Sequence, residues 1–238
     1  MKRILLAFLF LLSFALPSLA AHIIGGEMRY TYVGPGVAPN SKIYRITLIL
    51  FRGDDPTGAQ FAPSYVIGLY NNDNGSKVIG TAVNNNWLVT QDIPPGIQAV
   101  PIVLPTCIQG APSLNYTYAS YSMTIELPVN QNGYTAAYQT CCRINGMVNV
   151  GNSTGSTYQC VIPGSNFLPA GDDSSPRFFA PVNVICRNAP FTLNFSATDP
   201  DPNDSLAYSL CNAFNGGASI NAGFDDPAGP PYGSSKPA

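Results

Sequence analysis

Apolar and polar residues alternate with a period of two along most of this chain, and that alternation predicts β-strands. Residues 27–33 set Met28, Tyr30 and Tyr32 against Arg29, Thr31 and Val33. Residues 42–52 set Tyr44, Ile46, Leu48 and Leu50 against Arg45, Thr47, Ile49 and Phe51. A strand apolar on most of both faces belongs in the middle of a packed sheet. Residues 65–70, the turn 71–75 and residues 77–83 read as a hairpin. Residues 116–127 carry Tyr121, Met123, Ile125 and Leu127 on one face. An Asn132-Gly133 turn then opens residues 134–143, where Tyr134, Ala136, Tyr138, Thr140 and Cys142 share a face. Thr135, Ala137, Gln139, Cys141 and Arg143 share the other, and we expect 116–127 and 134–143 to pair antiparallel. Shorter strands are expected at 102–104, 157–162 and 184–186, and 191–197 is expected to pair with 206–211. No helix-period segment of useful length follows the N-terminus. The fold class is therefore all-β, with an antiparallel β-sandwich module over residues 22–170. A smaller β module over 176–238 follows a polar junction around 169–181.

Composition narrows the setting. Charged residues make up 10% of the chain, far below the roughly 25% usual in soluble domains. Hydroxyls and amides keep such a surface wet, a habit of secreted β-proteins. Residues 1–20 read as a signal peptide: Lys2-Arg3, an apolar run from Ile4, and small Ser18 and Ala20 before cleavage. Removing Lys2 and Arg3 changes the formal charge to (11 − 2) − 13 = −4. No basic patch exists to neutralise phosphates, so nucleic-acid binding is excluded. No later stretch is long and apolar enough to span a membrane. Six cysteines behind a signal peptide, with His22 the only histidine, point to disulfides rather than a metal–thiolate site. No histidine follows residue 22, so neither a serine nor a cysteine nucleophile has an imidazole base.

Candidate chemistry is thin. Asp199-Pro200-Asp201-Pro202-Asn203-Asp204 places oxygen-bearing side chains in a tight turn. Calcium takes such hard oxygen ligands, so Asp199, Asp201, Asn203 and Asp204 are a candidate calcium site, although the closing Glu of an EF-hand loop is missing. The competing reading is a turn built of ordinary turn residues. Glu27, Glu126, Asp54 and Asp55 are carboxylates on which glycoside hydrolysis would have to draw, but nothing places two of them across a cleft. Tyr116, Tyr118, Tyr121, Tyr134 and Tyr138 offer a sugar-stacking platform or, more commonly, half-buried sheet surface.

Several stretches carry a family resemblance: AHIIGGEMRYTYVG, KIYRITLILFRGD, IGLYNNDNG, GYTAAYQTCCRING, SSPRFFAPVNVICRNAPF and SATDPDPNDSLAYSLC. Together they resemble the N-terminal region of large secreted cell-surface proteins of Bacteroidetes-type bacteria. Those proteins carry PKD or Ig-like modules and often a gliding-motility-associated, type IX secretion sorting domain. The resemblance implies that residues 176–238 are a partial Ig/cadherin-like module. It also implies that the acidic turn resembles the calcium loop of such repeats, and that a secretion machinery handles the chain. The expected function is a non-enzymatic structural or adhesion module of the cell surface, its ligand an unidentified glycan or protein. The alternative is a carbohydrate-binding or glycan-processing domain. We expect Cys186 to pair with Cys211 within the second module. Cys141 and Cys142, on opposite strand faces, are expected to pair separately with Cys107 and Cys160.

Overall fold

The computed structural model describes residues 23–53, 60–108, 110, 115–140, 155–168, 172–178, 182–183, 185–186, 188–192, 194–202, 204–216, 226–232 and 234–235. Nine strands build the N-terminal part: β1 (Ile23–Pro35), β2 (Ser41–Arg52), β3 (Ser64–Asn71), β4 (Trp87–Gln91), β5 (Gln98–Ala99), β6 (Ile102–Val103), β7 (Thr117–Pro128), β8 (Tyr134–Thr140) and β9 (Ser156–Ile162). All but β6 join one antiparallel sheet, in the order β1-β2-β7-β4-β3-β8-β9, with β5 also on β7. The sheet curls until its two end strands meet as a near-barrel. A Cβ added to Gly26 of β1 would meet the Tyr158 ring of β9 at 3.2 Å.

The alternation read from the sequence fixes what lies inside. Ile46, Leu48 and Leu50 of β2, Ile67 and Leu69 of β3, Ala119 and Tyr121 of β7 and Ala136 of β8 are fully buried in one core. Tyr65 packs edge-on to Tyr121 and Tyr138, with ring centroids 4.7 and 5.4 Å apart. Such T-shaped contacts suit the ring quadrupoles. β2 lies between β1 and β7, the central place expected of a strand apolar on both faces. Trp87 packs against the core and donates its indole N–H to the Val78 carbonyl at 3.0 Å.

Strand partners differ from expectation. β7 pairs with β2, β4 and β5, while β8 lies between β3 and β9. Residues 116–127 and 134–140 are therefore not a hairpin. β2 and β7 match along their whole lengths, from Ser41–Pro128 to Arg52–Thr117, and that long ladder satisfies more main-chain groups than the local pairing would. Residues 77–83 return as one bridge, Tyr70 to Lys77, rather than a strand.

Beyond β9 the described residues form only two-residue strands: β10 (Arg177–Phe178), β11 (Val182–Asn183), β12 (Ala197–Thr198), β13 (Ala213–Phe214) and β14 (Ser234–Ser235). β10 pairs with β12, β11 runs parallel to β6, and β13 pairs with β14. The expected pairing of 191–197 with 206–211 is not formed among the described residues. Phe191, Phe195, Tyr208 and Leu210 are exposed, so among the described residues the alternation there has no second layer to bury against.

Candidate functional site

β1 is an end strand, and its outer edge carries main-chain groups that need partners. Residues 173–175 supply them. Tyr30 and Tyr32 donate their N–H groups to the hydroxyls of Ser175 and Ser174 at 3.0 and 3.1 Å. The Ser175 N–H donates back to the Tyr30 carbonyl at 3.0 Å. In the same segment Asp173 accepts the Tyr30 phenol proton. The Ser174 N–H donates to Asp201 Oδ2 at 2.7 Å, so the acidic turn is drawn onto β1 as well. That turn is closed locally. The Asp201 N–H donates to Asp199 Oδ1 at 2.9 Å, and the Asp204 N–H to the Asp201 carbonyl at 3.2 Å.

The result is a carboxylate cluster. Oxygens of Asp173, Asp201 and Asp204 all lie within 4.8 Å of one another. Asp201 and Asp204 were expected in a cation site, and they converge. Asp199 is not in this cluster; its side chain serves the turn. Asn203 lies outside the described residues. Asp173 was not foreseen, because Asp172-Asp173-Ser174-Ser175 reads as a polar junction; its only signal was acidic density before two serines.

Burial raises the Asp173 pKa; the Tyr30 hydrogen bond holds it down, and the charges of Asp201, Asp204 and Asp199 raise it further. Burial and the bond to Asp173 raise Tyr30 far above the ordinary phenol value, so it remains a donor. A carboxyl raised in the native state binds more protons there than in the unfolded chain, whose value is about 3.9. Between that value and the raised one, stability therefore falls as pH rises. In chelator, the wild type is expected to lose melting temperature over this window. Asp173→Asn, which still accepts the Tyr30 proton, is expected to lose less. Glu27, also raised by burial, and Asp226, lowered by its Lys77 and Asn86 hydrogen bonds against burial, titrate in both proteins. The comparison therefore isolates Asp173, and superimposable profiles would refute the assignment.

A disulfide also ties the chain beyond β9 back to its N-terminal part. Cys107, after β6, is bonded to Cys186, after β11, with Cα atoms 6.5 Å apart. This replaces the expected Cys186–Cys211 bond and removes Cys107 as a partner for Cys141 or Cys142. The parallel β6–β11 contact sets the two segments side by side and decides the pairing. Cys211 is exposed, Cys160 is buried, and neither has a partner among the described residues. Burial pushes the Cys160 thiol up to about 12, which makes it unreactive. Cys141 and Cys142 lie outside the described residues.

The other candidates have structural places. Tyr121, Tyr134 and Tyr138 are core residues, and Tyr116 and Tyr118 are partly exposed, so the tyrosine series is no continuous platform. Glu126 accepts the Ser41 hydroxyl and, at 2.7 Å, the Ala38 N–H. Glu27 lies 3.6 Å from Arg29; Asp54 and Asp55 fall outside the described residues. Residues 226–228 form a strap over the sheet. Asp226 pairs with Lys77 and accepts the Asn86 amide at 2.8 Å. Pro227 is fully buried and takes the Tyr70 hydroxyl, and the Ala228 N–H reaches Gln139 Oε1 at 3.0 Å. Among the described residues no helix is long and apolar enough to cross a membrane. No family model, curated protein or solved structure matches this chain.

Proposed function

We propose that this chain is a non-enzymatic structural or adhesion module, exported through residues 1–20 to the surface of a bacterium. In it a hard cation such as Ca2+ pins the acidic turn to the barrel. One observation supports this above all: Asp173 and the distant Asp201 and Asp204 bring their oxygens within 4.8 Å of each other on an end strand. Like charges that close repel one another, and a divalent cation between them turns that repulsion into attraction. The donor set fits the group. Carboxylate oxygens are the ligands calcium prefers, and backbone oxygens and water would complete its shell. The Tyr30 and Ser174 hydrogen bonds orient two of the three carboxylates. Cys107–Cys186 adds a covalent tie suited to an oxidising compartment. The arrangement favours a surface module of the kind carried by large secreted Bacteroidetes-type proteins, with binding carried by loops that these ties hold.

Millimolar Ca2+ is expected to raise the melting temperature and chelator to reverse the rise. At a hundredfold excess over Kd the gain is about 2.7 kcal/mol, or roughly 5–10 °C for a domain of this size. Asp201→Asn keeps the acceptor for Ser174 and is expected to abolish the response. A melting temperature indifferent to both calcium and chelator refutes the cation. Saturable turnover of a polysaccharide or peptide, lost on a single carboxylate substitution, refutes the non-enzymatic reading.

A further inference from the structure

The end of the barrel near residues 40 and 130 holds a cavity of about 250 Å3 that the ties described above leave open. Its walls include Tyr44, Tyr134, Leu127 and Ile162, all of them buried core residues. They are set by the sheet itself, so the cavity is formed before any ligand arrives. Its rim is polar. Lys42 Nζ lies 3.3 Å from Asp172 Oδ1, an ion pair that leaves the mouth with no net charge. Tyr134 donates its hydroxyl to the Pro128 carbonyl at 2.8 Å and keeps lone pairs free to accept. The Asn40 amide and the Tyr44 hydroxyl have no hydrogen-bond partner among the described residues.

Three properties restrict the occupant. The volume is below the roughly 300–1,000 Å3 of pockets for drug-sized ligands, so it admits about one ring. The paired charges at the mouth give no preference for an anion or a cation. Aromatic and aliphatic walls beneath donors and acceptors suit a ligand with an apolar face and hydroxyls around its edge. We infer that this cavity is a binding site for a single neutral sugar ring, with Tyr134 against the ring and Asn40, Lys42 and the Tyr44 hydroxyl at its hydroxyls. The inference is independent of the cation reading, because none of Asp173, Asp201 and Asp204 lines the cavity.

The test titrates the mature chain with glucose, galactose, mannose and N-acetylglucosamine separately, with citrate as a charged control, and follows NMR shifts. Saturable shifts with at least one sugar, mapped to the strand ends around residues 40–44, 127–134 and 162–168, are expected, and none with citrate. Tyr44→Phe removes only a hydroxyl. Asn40→Gly removes the amide at a residue whose φ of 57° glycine accepts freely. Each is expected to weaken sugar binding about three- to tenfold, the worth of one hydrogen bond, with the melting temperature unchanged. Absence of saturable shifts with every sugar, shifts mapping elsewhere, or wild-type affinity in both variants would overturn the inference. The wild-type mapping decides the matter even if a variant folds poorly.

Discussion

Replacing Cys107 and Cys186 by serine is expected to lower the stability of this protein by about 4–5 kcal/mol in the chain-entropy account of cross-links. The size follows from the loop that the bond closes, a sequence separation of 79 residues. Cys107 is exposed and Cys186 only partly buried, so serine costs little in lost packing and the change reports the cross-link itself. The midpoint of urea unfolding should fall. The dependence on denaturant should steepen, because an uncrosslinked chain exposes more surface on unfolding. The serine variant should also be nicked more readily by protease between β9 and β12, where the 182–186 segment loses its tether. Equal midpoints for the two proteins would contradict this assignment, as would a non-reducing peptide map that joins Cys186 to Cys211.

Gly133→Ala should damage the barrel severely for a change of one methyl. Gly133 sits in the left-handed region at φ 76°. A Cβ there would overlap the Ile162 carbonyl oxygen and approach Gly164 N and Pro163 C at 2.7 Å. The first fact costs roughly 1–2 kcal/mol for an L-residue and the second roughly 1–3 kcal/mol for overpacking. Together they predict a loss of about 2–5 kcal/mol. Gly75 separates the two effects. Its φ is 71° and nothing lies within 4 Å of the position its Cβ would take, so Gly75→Ala should cost the conformational part alone. The turn at Gly133 is further held by its N–H to Asn130 Oδ1 at 2.7 Å and by the Asn72 N–H to its carbonyl at 3.0 Å. Relaxation by sliding is therefore blocked. Similar urea-derived losses for the two variants would show that the close approach to β9 does not matter.

Much of the barrel interior was legible in advance. Tyr44, Ile46, Leu48 and Leu50 on one strand, and Tyr121, Ile125 and Leu127 on another, fall on the faces that alternation assigns them. The same rule misled at 191–197. There the period is present, but Phe191 and Phe195 stay exposed. Alternation describes a strand that has something to pack against, and it does not supply the partner. The candidate site divides the same way. Asp201 and Asp204 could be singled out because four acidic or amide side chains crowd one turn. Asp173 could not, since its role depends on Tyr30 and on main-chain contacts from β1, far away along the chain.

The sequence alone determined that this is an all-β chain, which face of each long strand is apolar, and where the tight turns fall. These are local properties, set by side-chain alternation and by residues that tolerate unusual backbone angles. Long-range packing selected the rest: β7 joins β2 rather than β8, Cys186 reaches Cys107, and Asp173 meets Asp201 and Asp204. Any strand edge offers the same N–H and C=O groups to every other. The choice among partners therefore rests on which closed sheet buries all the apolar faces at once, and that global condition cannot be read from a local stretch of chain.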